Sequence, residues 1–337
     1  MKFKKILSLL LGTVMVSSLL VTAPTFADEE NNSKLELSPI ENSFKENSKD
    51  DELLISPLKT SYDSVKAGVR AAIPSKYDLR KTNRVSSVKN QGQNGSCWTF
   101  ATYGSMESYL KLFGTEYDFS EKHMRNMHGF DWGPNDGGNR DIATSYLARG
   151  TGPILEKDDP YDAYINVSPT NVKRAFDLDK VIYLPDVHNA NETNVIKQAI
   201  MEYGGVYTTL SSQKYYEKKE TKSYYNPGSG KADHAGTIVG WDDNFSKNLF
   251  QAKAPGDGAW IVKNSWGTSF MDGGYYYVSY YDGFCGKSNA VFIPQRKDPN
   301  ALISQYDDFG ATRSVGYNMQ GYIANVFTSD EDQTIYQ

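Results

Sequence analysis

Val88-Lys89-Asn90-Gln91-Gly92-Gln93-Asn94-Gly95-Ser96-Cys97-Trp98-Thr99-Phe100-Ala101 joins two textures that seldom meet so abruptly. Glycines and short polar residues enforce an irregular loop up to Ser96, and the loop feeds Cys97 straight into a helix. The helix shows in Ala101, Gly104, Ser108 and Leu112, which recur at spacings of three and four, and Gly114 is placed to stop it after Phe113. A helix N-terminus carries about half a positive charge and favours a thiolate. Cys97 is therefore a candidate nucleophile, and a structural cysteine opening an ordinary helix is the alternative.

A nucleophilic thiol needs a base, and the chain has only His123, His128, His188 and His234. His123 and His128 are five apart on a second expected helix (Ser120 to Met127), about 140° around its axis, so they share no face for zinc and are expected at the surface. His188 lies in a polar loop. His234 differs, because it opens the apolar strand His234-Ala235-Gly236-Thr237-Ile238-Val239-Gly240-Trp241, and a strand end holds an imidazole rigidly. A base also needs its second nitrogen fixed. Asn264, at the end of Trp260-Ile261-Val262-Lys263, supplies an amide for this, with Trp266 beside it to exclude water. Together Cys97, His234 and Asn264 make a Cys-His-Asn constellation.

Further helices are expected from about Arg140 to Ala148 and around Val195 to Tyr203, the latter with Asn191 as N-cap. Strands are expected at Val206 to Leu210, His234 to Trp241, Ala259 to Asn264, Gly274 to Tyr281 and Ala290 to Pro294. Helices precede strands, so the class is α+β with two lobes.

On these residues the chain resembles the papain-like cysteine peptidases over residues 73–297. Ile73-Pro74 with Asp78-Leu79-Arg80, Asn135-Asp136-Gly137-Gly138, Glu156 with Pro160-Tyr161, and Asn264-Ser265-Trp266-Gly267 with Gly273-Gly274-Tyr275 match in order. His234 falls within the family's usual distance from the cysteine, about 130 to 150 residues. Asn264 overshoots it, because Asp242 to Gly258 reads as a polar insertion. The resemblance implies a helical N-terminal lobe, a β-rich C-terminal lobe and an active-site cleft between them. It implies Cys97 as nucleophile, His234 as base, Asn264 orienting it, Gln91 in the oxyanion hole, and Gly137 and Gly138 binding an extended peptide. Arg140, just after them, would favour polar or acidic substrate side chains. No metal or cofactor is expected, and the partners are protein or peptide substrates. A thiol acyltransferase with Asp242 as third member is the rival that Asn264 argues against.

Two departures stand out. Asn94 occupies a position where the family often has a cysteine, so the bridge that would brace the loop is missing. Cys285, in Phe284-Cys285-Gly286, resembles a family half-cystine without its partner and is expected as a buried thiol.

The flanks suggest processing. Lys2, Lys4 and Lys5, an apolar run from Ile6 to about Val21, and the small residues Thr25 and Ala27 form a secretory signal over residues 1–27. Residues 28–72 read as a short prosegment: an acidic leader, then Leu53 to Leu58 as an apolar patch that wants a partner surface, then an amphipathic turn over Tyr62 to Val69. Residues 298–337, with Gln305-Tyr306-Asp307 and Gly321 to Phe327, look like the incomplete start of a lectin-like β domain, as in bacterial surface proteases of this family. The expectation is thus a secreted zymogen, with possible cell-wall or surface-layer association. The net charge of −5 leaves no basic footprint for nucleic acid, and the mature chain has no apolar run long enough to span a membrane.

Overall fold

The computed structural model describes residues 72–297 and Ile303 in full, and the backbone alone of strands β1 (Glu36–Pro39), β2 (Leu54–Ile55) and β12 (Arg313–Gly316). The signal segment, the remainder of residues 28–71, Gln305-Tyr306-Asp307 and Gly321 to Phe327 lie outside the described residues.

Helix α1 (Cys97–Leu110) starts at the cysteine, tightens into a 3-10 turn over Lys111–Phe113, and stops at Gly114 in the left-handed region, φ 77°. It is buried almost all round, from Trp98 to Ser108. Helix α2 (Glu121–Met127) is capped by the Ser120 hydroxyl, which accepts from the His123 amide. Helix α3 (Arg140–Ala148) is capped by the Asn139 side chain, which accepts from the amides of Asp141 and Ile142. Helix α4 (Asn194–Tyr203) ends at Gly204. Its expected N-cap, Asn191, instead lies in a preceding 3-10 turn capped by Asn189.

Strands β3 (Lys76–Asp78), β4 (Phe176–Leu184), β5 (Val206–Leu210), β6 (Glu217–Lys218), β7 (Ser223–Tyr224), β8 (His234–Asp242), β9 (Ala259–Lys263), β10 (Tyr275–Ser279) and β11 (Asn289–Arg296) join β2 in one sheet, ordered β2-β4-β11-β5-β8-β9-β10-β7-β6, with β3 also on β8. The sequence reading had no strand at β4, whose Asp177, Asp179 and Lys180 interrupt the apolar run. Antiparallel pairing with β11 along its whole length holds it there. β8 is buried at every position between its antiparallel neighbours β5 and β9.

Two apolar cores fill the two lobes. One gathers Tyr103, Met106, Met124 and Tyr146 from the helices with Phe119 of the segment before α2 and Phe292 of β11. The other packs Ile196 and Ile200 of α4 with Ile238, Trp241, Trp260 and Val262 of the sheet. The mixed α+β architecture is that of a two-lobed papain-like fold. No helix among the described residues is long and apolar enough to cross a membrane.

Where α1 crosses β8 the two come within backbone reach. A Cβ on Gly104 would sit 2.4 Å from Thr237 Oγ1, and that hydroxyl donates to the Ala101 carbonyl at 3.2 Å. Gly104→Ala should therefore lower stability by about 1–3 kcal/mol through overpacking. Urea unfolding will show this as a lower midpoint with unchanged slope, and adding Thr237→Ala should recover part of the loss.

Candidate active site

Cys97 is the first residue of α1, half-buried and free. The backbone N–H groups of Ala235 and Trp98 lie near enough to its sulfur to favour the thiolate. The Ala235 contact sets the thiol beside the first residues of β8, where His234 stands. Burial pushes the Cys97 thiol up to about 11, and these N–H groups oppose the rise. Burial also lowers the His234 imidazole, against the pull of its hydrogen bond with Asn264.

That bond fixes the tautomer. His234 Nε2 lies 2.8 Å from Asn264 Oδ1, and the same oxygen accepts from the Ser265 amide at 2.8 Å. An oxygen that receives a backbone N–H is the carbonyl end of the amide and cannot donate, so Nε2 carries the proton and Nδ1 is left basic. Asn264 is held in turn by its backbone N–H, which donates to the Gly274 carbonyl at 2.9 Å. Trp266 lies over the imidazole, ring centroids 4.7 Å apart at 30°, and Phe270 packs edge-on against it.

Gln91 is tied to the same loop. Its amide N–H donates to the Ser265 carbonyl at 2.8 Å, and its Oε1 accepts from the Ser265 hydroxyl at 2.6 Å. Nε2 donates to the Asn94 carbonyl at 2.7 Å, which uses one of its two hydrogens. Tyr161 donates its hydroxyl to the Gln91 carbonyl and also meets Ser96 Oγ, both at 2.8 Å. Asn94, at the missing half-cystine, braces the loop by donating Nδ2 to the Ala163 carbonyl at 2.9 Å. Asn135 Oδ1 accepts from the Gly95 amide at 2.7 Å. Gly138 lies so close to the Trp98 indole that any Cβ would strike it at 2.3 Å, and Gly137 has φ +90°.

The residues singled out from sequence thus gather around the N-terminus of α1 and the start of β8. Arg140 is engaged elsewhere: its Nη1 donates to the Asn289 carbonyl at 2.8 Å and its guanidinium lies over the Tyr183 ring. Asp242 is excluded as a third member. It closes the far end of β8 and accepts from Lys76. Cys285 is buried and free.

A family model of the papain family cysteine proteases matches residues 73–295. The chain belongs to the papain family. This papain-family chain is 30% identical over 229 residues to a cathepsin L-like peptidase of Aedes aegypti, covering 66% of the present sequence and 64% of that relative. It is similar to the structure of the cysteine protease and lectin-like domains of Cwp84, a surface layer associated protein of Clostridium difficile. That match has TM-score 0.61 and 27% identity, covering 78% of this chain and 62% of that one. It is also similar to digestive procathepsin L2 of Tenebrio molitor, with TM-score 0.53 and 26% identity, covering 68% and 70%. The chain therefore spans under two thirds of the mosquito and clostridial relatives.

Two expectations are corrected. His123 and His128 are not surface side chains but lie in the helical lobe, 2% and 3% exposed. His123 Nδ1 meets the Tyr146 hydroxyl at 2.7 Å and Nε2 the Pro169 carbonyl at 3.1 Å. His128 accepts from the Phe130 amide and packs edge-on to Trp98. With α2 covered, its Glu121, Lys122 and Arg125 are buried as well.

The sequence reading also missed Ser265 as the holder of Gln91. Its place between Asn264 and Trp266 was the available signal. In Ser265→Ala the buried Gln91 Oε1 loses this donor, so stability should fall by about 1–3 kcal/mol in thermal or urea unfolding, while Cys97 keeps its alkylation rate.

Proposed function

We propose that this chain is a cysteine endopeptidase, secreted and made as a zymogen, which hydrolyses peptide bonds through Cys97, His234, Asn264 and Gln91. The observation that carries it is the placement of the Cys97 thiol against the backbone of Ala235, next to an imidazole whose Nε2–H is committed to Asn264.

The chemistry follows from the free Nδ1. Proton transfer from Cys97 to His234 creates both charges side by side, so the burial cost that each would bear alone is offset by their attraction. At an effective dielectric of 20, opposite charges about 4 Å apart attract by about 4 kcal/mol. The thiolate attacks the peptide carbonyl, its oxygen becoming the oxyanion. The Cys97 amide and the second Nε2 hydrogen of Gln91 stabilise that charge. His234 protonates the leaving amine, and water then hydrolyses the acyl-enzyme. Gly138, close against Trp98, and its neighbour Gly137 offer backbone groups to an extended substrate.

The domain plan in this reading is a signal over residues 1–27, a prosegment over 28–72, the peptidase over 73–297 and the start of a lectin-like domain from 298. Zymogen character is supported by the beetle relative, which is a procathepsin. A lectin-like continuation and surface-layer association are supported by the clostridial one. The Leu54–Ile55 backbone pairs antiparallel with Tyr183 and Ile182 of β4, which gives part of the apolar patch a partner on the sheet edge.

Alkylation by a thiol reagent across pH tests the ion pair. The wild type should react at mildly acidic pH. In His234→Ala the proton has no acceptor, the thiol keeps the high value that burial gives it, about 11, and reaction should rise only in strong alkali. Superimposable profiles would overturn the pairing. Gln91→Ala should keep the wild-type profile but lose about 10² to 10³ in kcat on a fluorogenic peptide, the usual cost of one oxyanion donor.

A further inference from the structure

Beside Asn264 the two lobes meet over buried charge. Lys89 donates to Glu107 Oε1 at 3.0 Å and to Glu121 Oε1 at 2.8 Å. Lys263 donates to Ser86 Oγ at 2.8 Å, and Ser86 donates on to Glu107 Oε2. Among these groups is a cavity of about 10 Å³, lined by Asn264, Glu121, Lys263 and Lys89 with Ala101 and Thr237. By the same measure one water molecule needs roughly 10–15 Å³ and two to four polar partners.

Two lining atoms are buried without any protein partner, Asn264 Nδ2 and Glu121 Oε2. Their residues are 3% and 1% exposed. An orphaned amide hydrogen and an orphaned carboxyl oxygen each carry a desolvation cost that native interiors seldom leave unmet. Both residues line a space of the size of one water.

We propose that a single ordered water fills this cavity, accepting from Asn264 Nδ2 and hydrogen-bonded to Glu121 Oε2, and that Glu121 is thereby a positioning residue for the Asn264 amide. The chain of contacts runs Glu121, water, Asn264, His234. Asn264 Oδ1 is already pinned by the Ser265 amide and the imidazole. The water pins the other end, so the amide cannot rotate about its last bond and offer an N–H to His234 in place of the oxygen. Burial raises Glu121 to about 8, opposed by Lys89, and lowers Lys263 to about 8. A water suits this place whichever form Glu121 takes, since it donates to an ionised Oε2 and accepts from a protonated one.

The inference rests on the proposed role of Asn264, and two readouts keep the questions apart. The first is a crystal structure of the full-length protein at a resolution that orders single waters. One peak within hydrogen-bond distance of both Asn264 Nδ2 and Glu121 Oε2 is expected. A filled-in cavity, or Asn264 Nδ2 bonded to protein, overturns the proposal whatever the enzyme does.

The second is a kinetic cycle on a fluorogenic peptide, with Glu121→Leu in the wild-type and Asn264→Ala backgrounds. Alone, Glu121→Leu should lower kcat about 10-fold, the worth of one ordinary hydrogen bond, with KM unchanged. In Asn264→Ala the same change should cost less than about 2-fold, because the partner it acts through is gone. Equal losses in both backgrounds would make Glu121 merely structural and overturn the assignment. Should Glu121→Leu fail to fold, Glu121→Gln decides. It can still bond the water and should stay within about 3-fold of wild type, whereas a loss in it of about 10-fold or more would trace the effect to the Lys89 charge pair. A wild type without peptidase activity would defeat the proposed function and leave the crystallographic test standing.

Discussion

The close crossing of α1 over β8 at Gly104 and Thr237 is the constraint on which the site depends. Cys97 lies seven residues before Gly104, about 10 Å along a helix rising 1.5 Å per residue. His234 lies three residues before Thr237, also about 10 Å along a strand rising about 3.3 Å per residue. Equal run-back from one shared contact brings the two first residues level with each other. The amide of Ala235, one residue on, reaches the thiol. Any side chain at position 104 would wedge helix from strand and move thiol and imidazole apart together. The same crossing explains why α1 is buried nearly all round. It is the wall between the lobes, and neither lobe leaves it a solvent face.

A second set of contacts braces the loop before Cys97 without a covalent bridge. The backbones of Asn90 and Trp266 pair, Gly267 donates to the Lys89 carbonyl, and Ser265 holds Gln91 at both backbone and side chain. The loop that presents Gln91 is thus stitched to the loop that presents Asn264. Tyr161 and the Asn94 amide tie its other side to residues 161–163. Each such bond contributes about 0.5–1.5 kcal/mol net, and their number takes the place of a disulfide that this sequence cannot form.

What the sequence disclosed and what it hid follow from range of interaction. The loop-to-helix junction at Cys97 and the stop signal Gly114 are local, and α1 falls where they lie. His234 and Asn264 stood out because each sits at the end of an apolar strand. β4 was invisible because its alternating charges disguise a strand that is held by β11, more than a hundred residues away. His123 and His128 were misplaced for a related reason. A short helix rich in Glu, Lys, His and Arg reads as solvated, yet α2 lies between α1 and residues 161–169, and every polar side chain there finds a partner that only the tertiary fold supplies.

Lys89, Glu107, Glu121 and Lys263 pose the harder question of why charge should be buried between the lobes at all. Taken for stability the arrangement is poor, since burial opposes the charged state of Glu121 and Lys263 alike, and a well-packed apolar cluster would cost less. Its value is geometric. Apolar attraction is non-directional, whereas Lys89 fits only where Glu107, Glu121 and Asp118 reach it, and Lys263 only where Ser86 meets it. Lys89 precedes the Gln91 loop by two residues and Lys263 immediately precedes Asn264, so a network that fixes the register of the lobes fixes both at the same time. A site assembled from two lobes needs that register more than it needs the last few kcal/mol.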